Sequence, residues 1–280
     1  MELFTLWLWP LLALILLPGL LVYFGLHVVE RGIIFVDLAL AQIAALGICV
    51  AIALGAHPGH DALPYVLSVV FTLLGAGLFA WTRFNHPRVP QESIIGIIYV
   101  VAAAAATLVL SHSAEGDEAL KNLLVGNVLL VTRAEVLRTF GLFMAIGVLH
   151  ALLRKRFLMV TFHEDEARRQ GIALRLWDFL FYATFGLTVV SFVQITGVYL
   201  VFSYLIVPAV CGALLSANIR TRLIIGWIVA LVAGLSGLLC SVKLESLDLP
   251  TGPAIVCCFG VILIVCAIVM RLRNGRAAAV

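Results

Sequence analysis

Charged side chains are scarce in this sequence. Only 12% of its 280 residues are Asp, Glu, Lys or Arg, whereas 63% are hydrophobic and the mean hydropathy is +1.15. A soluble domain of this length could not bury so much apolar surface. The net charge of +3 gives no reason to expect a nucleic-acid partner, because the basic residues lie in short loops between apolar runs. The composition therefore indicates membrane lipid as the surroundings.

Motifs that carry catalytic or cofactor chemistry are also missing. No G-x-x-x-x-G-K-[ST] occurs, so the chain has no loop of its own that would cradle the phosphates of ATP. His150 is the only histidine that lies well inside an apolar run, and no acid stands at helical spacing from it, which disfavours an intramembrane enzyme. No CxxC pair with a histidine partner occurs, and the cysteines are interpreted as small buried hydrophobes: Cys49, Cys211, Cys240, Cys257, Cys258 and Cys266.

Long apolar runs are what the sequence does contain. One helix needs roughly 20 apolar residues to cross a bilayer, and backbone groups in lipid must pair within helices or closed barrels. The runs are continuous instead of alternating, so we predict an all-α polytopic membrane protein with a single transmembrane domain over 1–280. We predict nine spans, near residues 5–27, 33–55, 62–82, 92–111, 134–153, 176–195, 197–216, 223–242 and 252–271.

Two details of these spans follow from local residues. As a single helix, the apolar stretch 177–216 would be about 60 Å long, twice the hydrocarbon thickness, so it must turn back. Gly197 is the predicted break. The N-terminus lacks a basic region before its apolar run and carries Glu2, so we interpret it as a retained first span and not as a signal peptide.

Arginine and lysine concentrate in alternate loops, which predicts a cytoplasmic location for those loops. Arg133 and Arg138, at the other end of the fifth span, are exceptions. An odd number of spans then places the N-terminus outside and the C-terminus in the cytoplasm. The loop and tail residues that carry this prediction are Arg83, Arg88, Arg154, Lys155, Arg156, Arg168, Arg169, Arg175, Arg220, Arg222, Arg271, Arg273 and Arg276.

One cytoplasmic loop contains an island of charge, "FHEDEARRQG", between the fifth and sixth spans. Thr161 and Glu164 stand in the S/T-x-x-E relation of a capping box, and Gly171 offers a glycine stop. Acids come first and arginines later, as the helix dipole favours. We predict a short helix over about 161–171, which would be marginal alone in water and would be ordered by a cytoplasmic partner. The alternative is a solvated loop with a chance capping pattern.

Four stretches in the same order resemble the permease subunits of zinc/manganese-type ABC importers. They are "FHEDEARRQGIAL" (162–174), "LLVGNVLLVT" (123–132), "TGVYLVFSYLIVPAVCGALLS" (196–216) and "LDLPTGPAIVCCFG" (247–260). The resemblance covers about residues 20–270. It implies the metal-type ABC permease fold in a bacterial inner (plasma) membrane and transport of zinc, manganese or iron ions as substrate.

The resemblance also implies partners. A second copy of the chain would complete the pathway, a separate ATP-binding-cassette subunit would bind ATP, and a substrate-binding protein would dock on the outer side. No cofactor is expected in this chain itself. The short charged helix would be the coupling helix that rests on the ATPase subunit, with contact residues Glu164, Asp165, Glu166, Ala167, Arg168 and Gly171.

The second span departs from the family's pattern. Members typically carry Asp-x-x-x-His before a glycine, two side chains on one helix face that could hold a metal in the pore. Alignment on Gly47 puts Gln42 in place of the histidine and Leu38 in place of the aspartate, with Asp37 one position early. Asp37 and Gln42 are about 140° apart around a helix and do not share that face. The pore candidates are Asp37, Gln42 and Gln194, and each has an ordinary structural alternative.

The outer loops offer a substitute metal site. His57, His60, Asp61 and His112 combine imidazole with carboxylate, which suits Zn²⁺, Mn²⁺ or Fe²⁺. We treat them as a hypothesis for a receiving or docking surface, against the alternative of solvated loops. For the whole chain, the alternatives are an ABC permease for a metal chelate or other small solute, or a secondary transporter.

Overall fold

The chain is all-α wherever its structure is described. A computed structural model describes residues 2–56, 61–83, 89–111, 131–243 and 250–277, and no strand occurs among them. The helices in these ranges are α1 Glu2–Arg31, α2 Val36–Ala53, α3 Leu63–Trp81, α4 Gln91–Leu110, α5 Arg133–Leu152, α6 Arg154–Phe162, α7 Glu164–Arg169, α8 Leu174–Thr196, α9 Val198–Leu215, α10 Ile219–Lys243 and α11 Thr251–Ala277.

Nine helices in the described part of the chain are long and apolar enough to cross a membrane. They are α1 to α5 and α8 to α11, all of 18 residues or more. The predicted number of spans is confirmed, and the predicted bounds differ from the helix bounds by a few residues at most ends. Continuous apolar runs were sufficient to predict the number of spans. The backbone of a membrane helix forms its hydrogen bonds within that helix, whatever the helix packs against.

The break at Gly197 is also confirmed. α8 ends at Thr196 and α9 begins at Val198, and Gly197 between them has φ +78°, ψ 163°. A residue with a Cβ is strained at that positive φ, so glycine allows two apolar helices to follow one another without a loop.

Contacts divide the chain into two compact units, each assembled from separate stretches. The first comprises Met1–Val29, Val125–Phe140 and Ile195–Val280, and the second comprises Glu30–Leu124 and Gly141–Gln194.

In the first unit, α9, α10 and α11 pack on one another through glycines and aromatic rings. A Cβ added to Gly237 of α10 would lie 2.4 Å from Ile255 Cα of α11. Tyr204 and Phe259, both fully buried, meet edge to face with ring centroids 4.9 Å apart. Small residues thus allow backbones to approach where apolar lipid provides no hydrophobic drive for association.

In the second unit, α2 contacts both α3 and α4, and the Phe79 ring of α3 meets the Tyr182 ring of α8 with centroids 5.9 Å apart. Phe157 of α6 is fully buried and stacks on the His150 ring, with centroids 4.0 Å apart. His150 Nε2 lies 2.8 Å from Thr184 Oγ1, so this histidine has a structural hydroxyl partner.

The tightest helix contact of the first unit predicts a stability effect. Gly25 of α1 faces α9 so closely that an added Cβ would lie 1.9 Å from the carbonyl oxygen of Leu205. Gly25→Ala should therefore destabilise the protein by about 1–3 kcal/mol, the usual cost of overpacking. Thermal unfolding of the purified protein in detergent measures this loss.

Gly19→Ala is the matched control, because Gly19 lies in the same helix and an added Cβ meets nothing within 4 Å. It should leave the melting temperature unchanged or slightly raised. Equal melting temperatures for the two variants would contradict the assigned contact between α1 and α9.

Candidate functional site

Within the charged island, one short helix follows directly after a helix break. α6 runs to Phe162, His163 breaks the helix with φ −136° and ψ 55°, and α7 comprises only Glu164–Arg169. The predicted helix over 161–171 is therefore wrong at its start, since Thr161 and Phe162 belong to the last turn of α6.

The predicted capping box at Thr161 and Glu164 is wrong for the same reason. The Thr161 hydroxyl oxygen accepts a hydrogen bond from Arg31 Nε at 3.0 Å, and the cap residue of α7 is His163, which makes no side-chain capping bond. The Glu164 carboxylate is occupied by Arg83 at 2.6 Å and Arg168 at 3.0 Å. Side chains distant in sequence thus take both groups that the local pattern would have paired.

The end of α7 agrees with the sequence prediction. Gly171 has φ +69°, its N–H donates to the Arg168 carbonyl at 3.1 Å, and the Ile172 N–H donates to the Ala167 carbonyl at 3.0 Å. This is the Schellman arrangement that a glycine after the last helical turn permits.

α7 buries one side chain and exposes most of its charges. Ala167 is 0% exposed and anchors the helix. Asp165, Glu166, Arg168 and Arg169 are exposed, and Glu164 is half-buried. Six residues with one buried methyl group cannot hold a helix in place alone, so other contacts must fix it.

Those contacts come from a buried ion-pair network. The Asp178 side chain of α8 is 0% exposed; its Oδ1 accepts from Arg31 Nη1 at 2.8 Å and its Oδ2 accepts from Arg83 Nη1. Arg83 also binds Glu164, and the Arg31 guanidinium lies 4.1 Å from the Phe181 ring centroid. Two cations and two anions balance, which a buried carboxylate requires. We call Arg31, Arg83, Glu164 and Asp178 the four-charge network.

The charges of this network shift the pKa of its members outside the spans. For Glu164, partial burial pushes the pKa upward, but the charge and hydrogen bond of Arg83, together with Arg168, outweigh burial and lower it. For Arg83, burial pushes the pKa downward, but the carboxylates of Asp178 and Glu164 outweigh burial and raise it. Both groups are therefore held in their charged forms.

The network also fits the predicted alternation of loops. Arg31 ends the first span, Arg83 follows the third, and Glu164 lies between the fifth and the sixth. Direct ion pairs require these three ends to lie on one side of the membrane, as the arginine distribution predicts. None of these partners was foreseen, although an arginine at a span end and an acid early in a span were visible signals.

The pore candidates lie on two helices, Asp37 and Gln42 on α2 and Gln194 on α8. Asp37 is 2% exposed in the first turn of α2, Gln42 is 9% exposed, and Gln194 is exposed near the end of α8. Asp37 Oδ1 is buried and has no hydrogen-bond partner among the described residues.

Glu92, an acid in the first turn of α4, was not among the residues predicted from the sequence. Its Oε1 accepts a hydrogen bond from the Phe35 N–H at 3.0 Å, which brings the carboxylate to the start of α2, where Asp37 lies. Its Oε2 is buried and has no partner in the described part of the chain. The signal that selected Asp37, an acid at the start of an apolar span, would also have selected Glu92.

The outer-loop hypothesis falls mostly outside the described residues, since His57, His60 and His112 all lie there. Asp61 is described and exposed. Within the described ranges, no group of three or more His, Cys, Asp or Glu side chains is placed to hold a metal ion.

Comparisons with known proteins agree with this architecture. The model of the ABC 3 transport family matches residues 4–270. The chain is 26% identical over 232 residues to the manganese transport system membrane protein MntC of Halalkalibacterium halodurans, covering 83% of this chain and 76% of that one. It is 27% identical over 172 residues to the chelated iron transport system membrane protein YfeD of Yersinia pestis, covering 61% and 57%.

The fold is similar to a solved transporter structure. PsaBC from Streptococcus pneumoniae, in complex with a Fab, superposes with a TM-score of 0.74 at 20% identity, covering 92% of this chain and 89% of that one.

The lowered pKa of Glu164 predicts how acid affects the protein. A carboxyl group with a depressed pKa stabilises the folded state above its unfolded pKa of about 4.5, and that contribution is lost as the pH falls through the folded value. Acidification from neutral pH to below 4.5 should therefore lower the thermal stability of wild type more than that of Glu164→Gln, which has no such proton to gain. Melting curves across this range, at constant ionic strength, measure the difference.

Glu135→Gln is the control, since Glu135 caps α5 through Thr132 and pairs with no arginine among the described residues. Parallel pH curves for wild type and Glu164→Gln would contradict the assigned pairing with Arg83.

Proposed function

The chain belongs to the ABC 3 transport family, and from that membership we propose that it is the permease subunit of an ATP-driven importer of a divalent metal ion. The carrying observation is a family match over 4–270, together with relatives named for manganese and chelated iron transport. Manganese, iron or zinc is the proposed substrate, and a metal chelate is the alternative that the YfeD likeness favours. The chain supplies the membrane path, and ATP is bound by a partner subunit.

We propose that α7 is the coupling helix, which docks in the ATPase subunit. Asp165, Glu166 and Arg168 offer exposed charges, while buried Ala167 and the turn at Gly171 fix the helix on its own chain. Glu164 joins this docking helix to the four-charge network. A helix that docks on a partner and transmits force must be fixed to the rest of its own chain, and these contacts would fix α7 in that way.

A second copy of the chain and an outer substrate-binding protein complete the proposed assembly. Three spans are little buried within the described structure. The buried share of the most apolar stretch is 22% in α4, 28% in α5 and 17% in α11. Such apolar faces suit lipid or a neighbouring copy. The outer loops with His57, His60, Asp61 and His112 are the proposed receiving surface for the binding protein.

For the ion path, we propose that Asp37 and Glu92 attract the cation at the cytoplasmic ends of α2 and α4, with Gln42 and Gln194 as amide positions along the path. A buried carboxylate oxygen without a hydrogen-bond partner is costly, and both acids have one among the described residues. A divalent cation bound there would satisfy these oxygens. Oxygen ligands suit Mn²⁺ and Fe²⁺ better than softer ions.

Metal accumulation tests the function and the role of Asp37 together. Cells lacking this chain should accumulate less of one metal among manganese, iron and zinc at limiting supply, and the wild-type gene should restore the level. Asp37→Asn should restore uptake about tenfold less well, because it removes the carboxyl group that would bind the cation. Elemental analysis of washed cells measures this.

Glu135→Gln serves as the matched control, an acid in the first turn of another span that is exposed and used as a cap. It should restore uptake fully. Unchanged levels of all three metals in cells without the chain would refute the proposed function, whereas normal uptake by Asp37→Asn would refute only the proposed path.

Surface labelling tests the location of the coupling helix. A cysteine in place of exposed Arg168 should react with a membrane-impermeant thiol reagent in inside-out vesicles and stay unlabelled in intact cells. The wild-type chain, with its six native cysteines, gives the background. Labelling of Arg168→Cys in intact cells would place α7 outside and exclude docking on a cytoplasmic ATPase.

A further inference from the structure

We propose that Asp178 is the positioning residue through which the coupling helix moves the spans. This inference rests on the proposed function, since it assigns how a push on α7 reaches the membrane helices. Asp178 lies in α8, outside the α6–α7 segment, and would act through Arg31 and Arg83 without touching the ATPase or the ion.

The geometry consists of two bridges that start from one carboxylate. Asp178 Oδ1 binds Arg31, whose Nε then donates to the Thr161 hydroxyl at 3.0 Å. Asp178 Oδ2 binds Arg83, whose other terminal nitrogen lies 2.6 Å from Glu164 Oε2. Thr161 lies just before the helix break at His163 and Glu164 just after it. Asp178 therefore holds the α6–α7 segment on both sides of the helix break at His163.

The bridges connect the segment to three spans. Arg31 is the last residue of α1, Arg83 comes two residues after α3 ends, and Asp178 belongs to α8. Arg31 is further fixed by its position over the Phe181 ring, and its side chain is only 7% exposed. Displacement of α7 must then either move the ends of these spans or break charge pairs.

Burial makes it costly to break these charge pairs. The Asp178 side chain is 0% exposed, and the Arg31 and Arg83 side chains are 7% and 15% exposed. If Glu164, whose side chain is 39% exposed, moved away, the largely buried Arg83 would lose one of its two carboxylate partners in a medium of low dielectric, which is unfavourable. By contrast, the two pairs within α7, Arg168 with Glu164 at 3.0 Å and Arg169 with Glu166 at 3.6 Å, are largely open to solvent and contribute little. The four-charge network therefore opposes a displacement of α7 relative to the spans, and the surface pairs do not.

Stability alone does not account for this arrangement. Replacement of a buried ion pair by apolar side chains is often neutral or stabilising, so a fold needs no such network merely to persist. Charge pairs between specific atoms do fix one relative position of the groups that carry them. That property suits a joint that must transmit motion without slipping.

The test is the ratio of metal transported to ATP hydrolysed by the complete transporter in proteoliposomes. Asp178→Asn should lower this ratio by about tenfold or more. Loss of the buried carboxylate should shift the equilibrium between the fixed and the displaced position of α7 by at least a factor of about ten, so that ATP hydrolysis moves α7 without moving the spans. The ATPase activity of this variant should stay near the wild-type value, since α7 still carries its docking charges. Arg175→Gln is the control, because it removes an exposed charge from the same helix; its ratio should match wild type.

A double-mutant cycle tests whether force passes through Arg83. If it does, Asp178→Asn and Glu164→Gln interrupt the same bridge, and the double variant should be no worse than Asp178→Asn alone. Multiplied effects would show independent roles and overturn the inference. Thr161→Ala, which removes the other bridge without stranding an ion pair, should give a smaller loss of the ratio.

Assembly must be measured beside coupling. If Asp178→Asn fails to assemble with the ATPase subunit, Asp178→Glu and Thr161→Ala decide the matter, since both keep the buried charges. A wild-type ratio in both would overturn the inference, and a reduced ratio at normal assembly would support it. Absence of ATP-dependent metal uptake in the wild-type transporter would instead refute the proposed function.

Discussion

A carboxylate with no access to water must be neutralised by its neighbours, and this constraint organises one end of the second unit. Asp178 is fully buried between Arg31 and Arg83, and those arginines have further groups to satisfy. Arg31 Nε donates to Thr161 and Arg83 pairs with Glu164, while Arg31 Nη2 stays buried without a hydrogen-bond partner among the described residues. A short helix with one buried methyl group thereby acquires a defined position, which hydrophobic burial alone could not provide.

The same constraint explains why two identical local patterns behave differently. Both Thr132-x-x-Glu135 and Thr161-x-x-Glu164 fit the capping motif. The first forms the box, with the Thr132 N–H and hydroxyl both donating to Glu135 Oε2 at 2.7 Å. The second does not, because arginines 130 and 81 positions away in sequence take its hydroxyl and its carboxylate. A capping bond contributes about 1 kcal/mol, less than a charge-assisted contact in a buried network contributes.

Unlike Asp178, the two carboxyl groups at the starts of α2 and α4 are not neutralised by arginines among the described residues. Asp37 and Glu92 are both acids at the start of an apolar span, and only Asp37 was predicted as a pore candidate. Only folding shows that Glu92 caps the start of α2 through the Phe35 N–H and that each acid keeps a buried oxygen without a partner among the described residues. The departure from the family's Asp-x-x-x-His pattern therefore does not remove acidic oxygen from this region.

Four features could be predicted from the amino-acid sequence alone: the class, the number of spans, the reversal at Gly197 and the stop at Gly171. Each of these depends on local physics, either the length of an apolar run or the backbone freedom of one glycine. Tertiary structure decided which charges meet, since Asp178 lies 147 positions from one partner and 95 from the other. Local periodicity carries no information about such pairs, because their energy arises only when helices distant in sequence exclude water together.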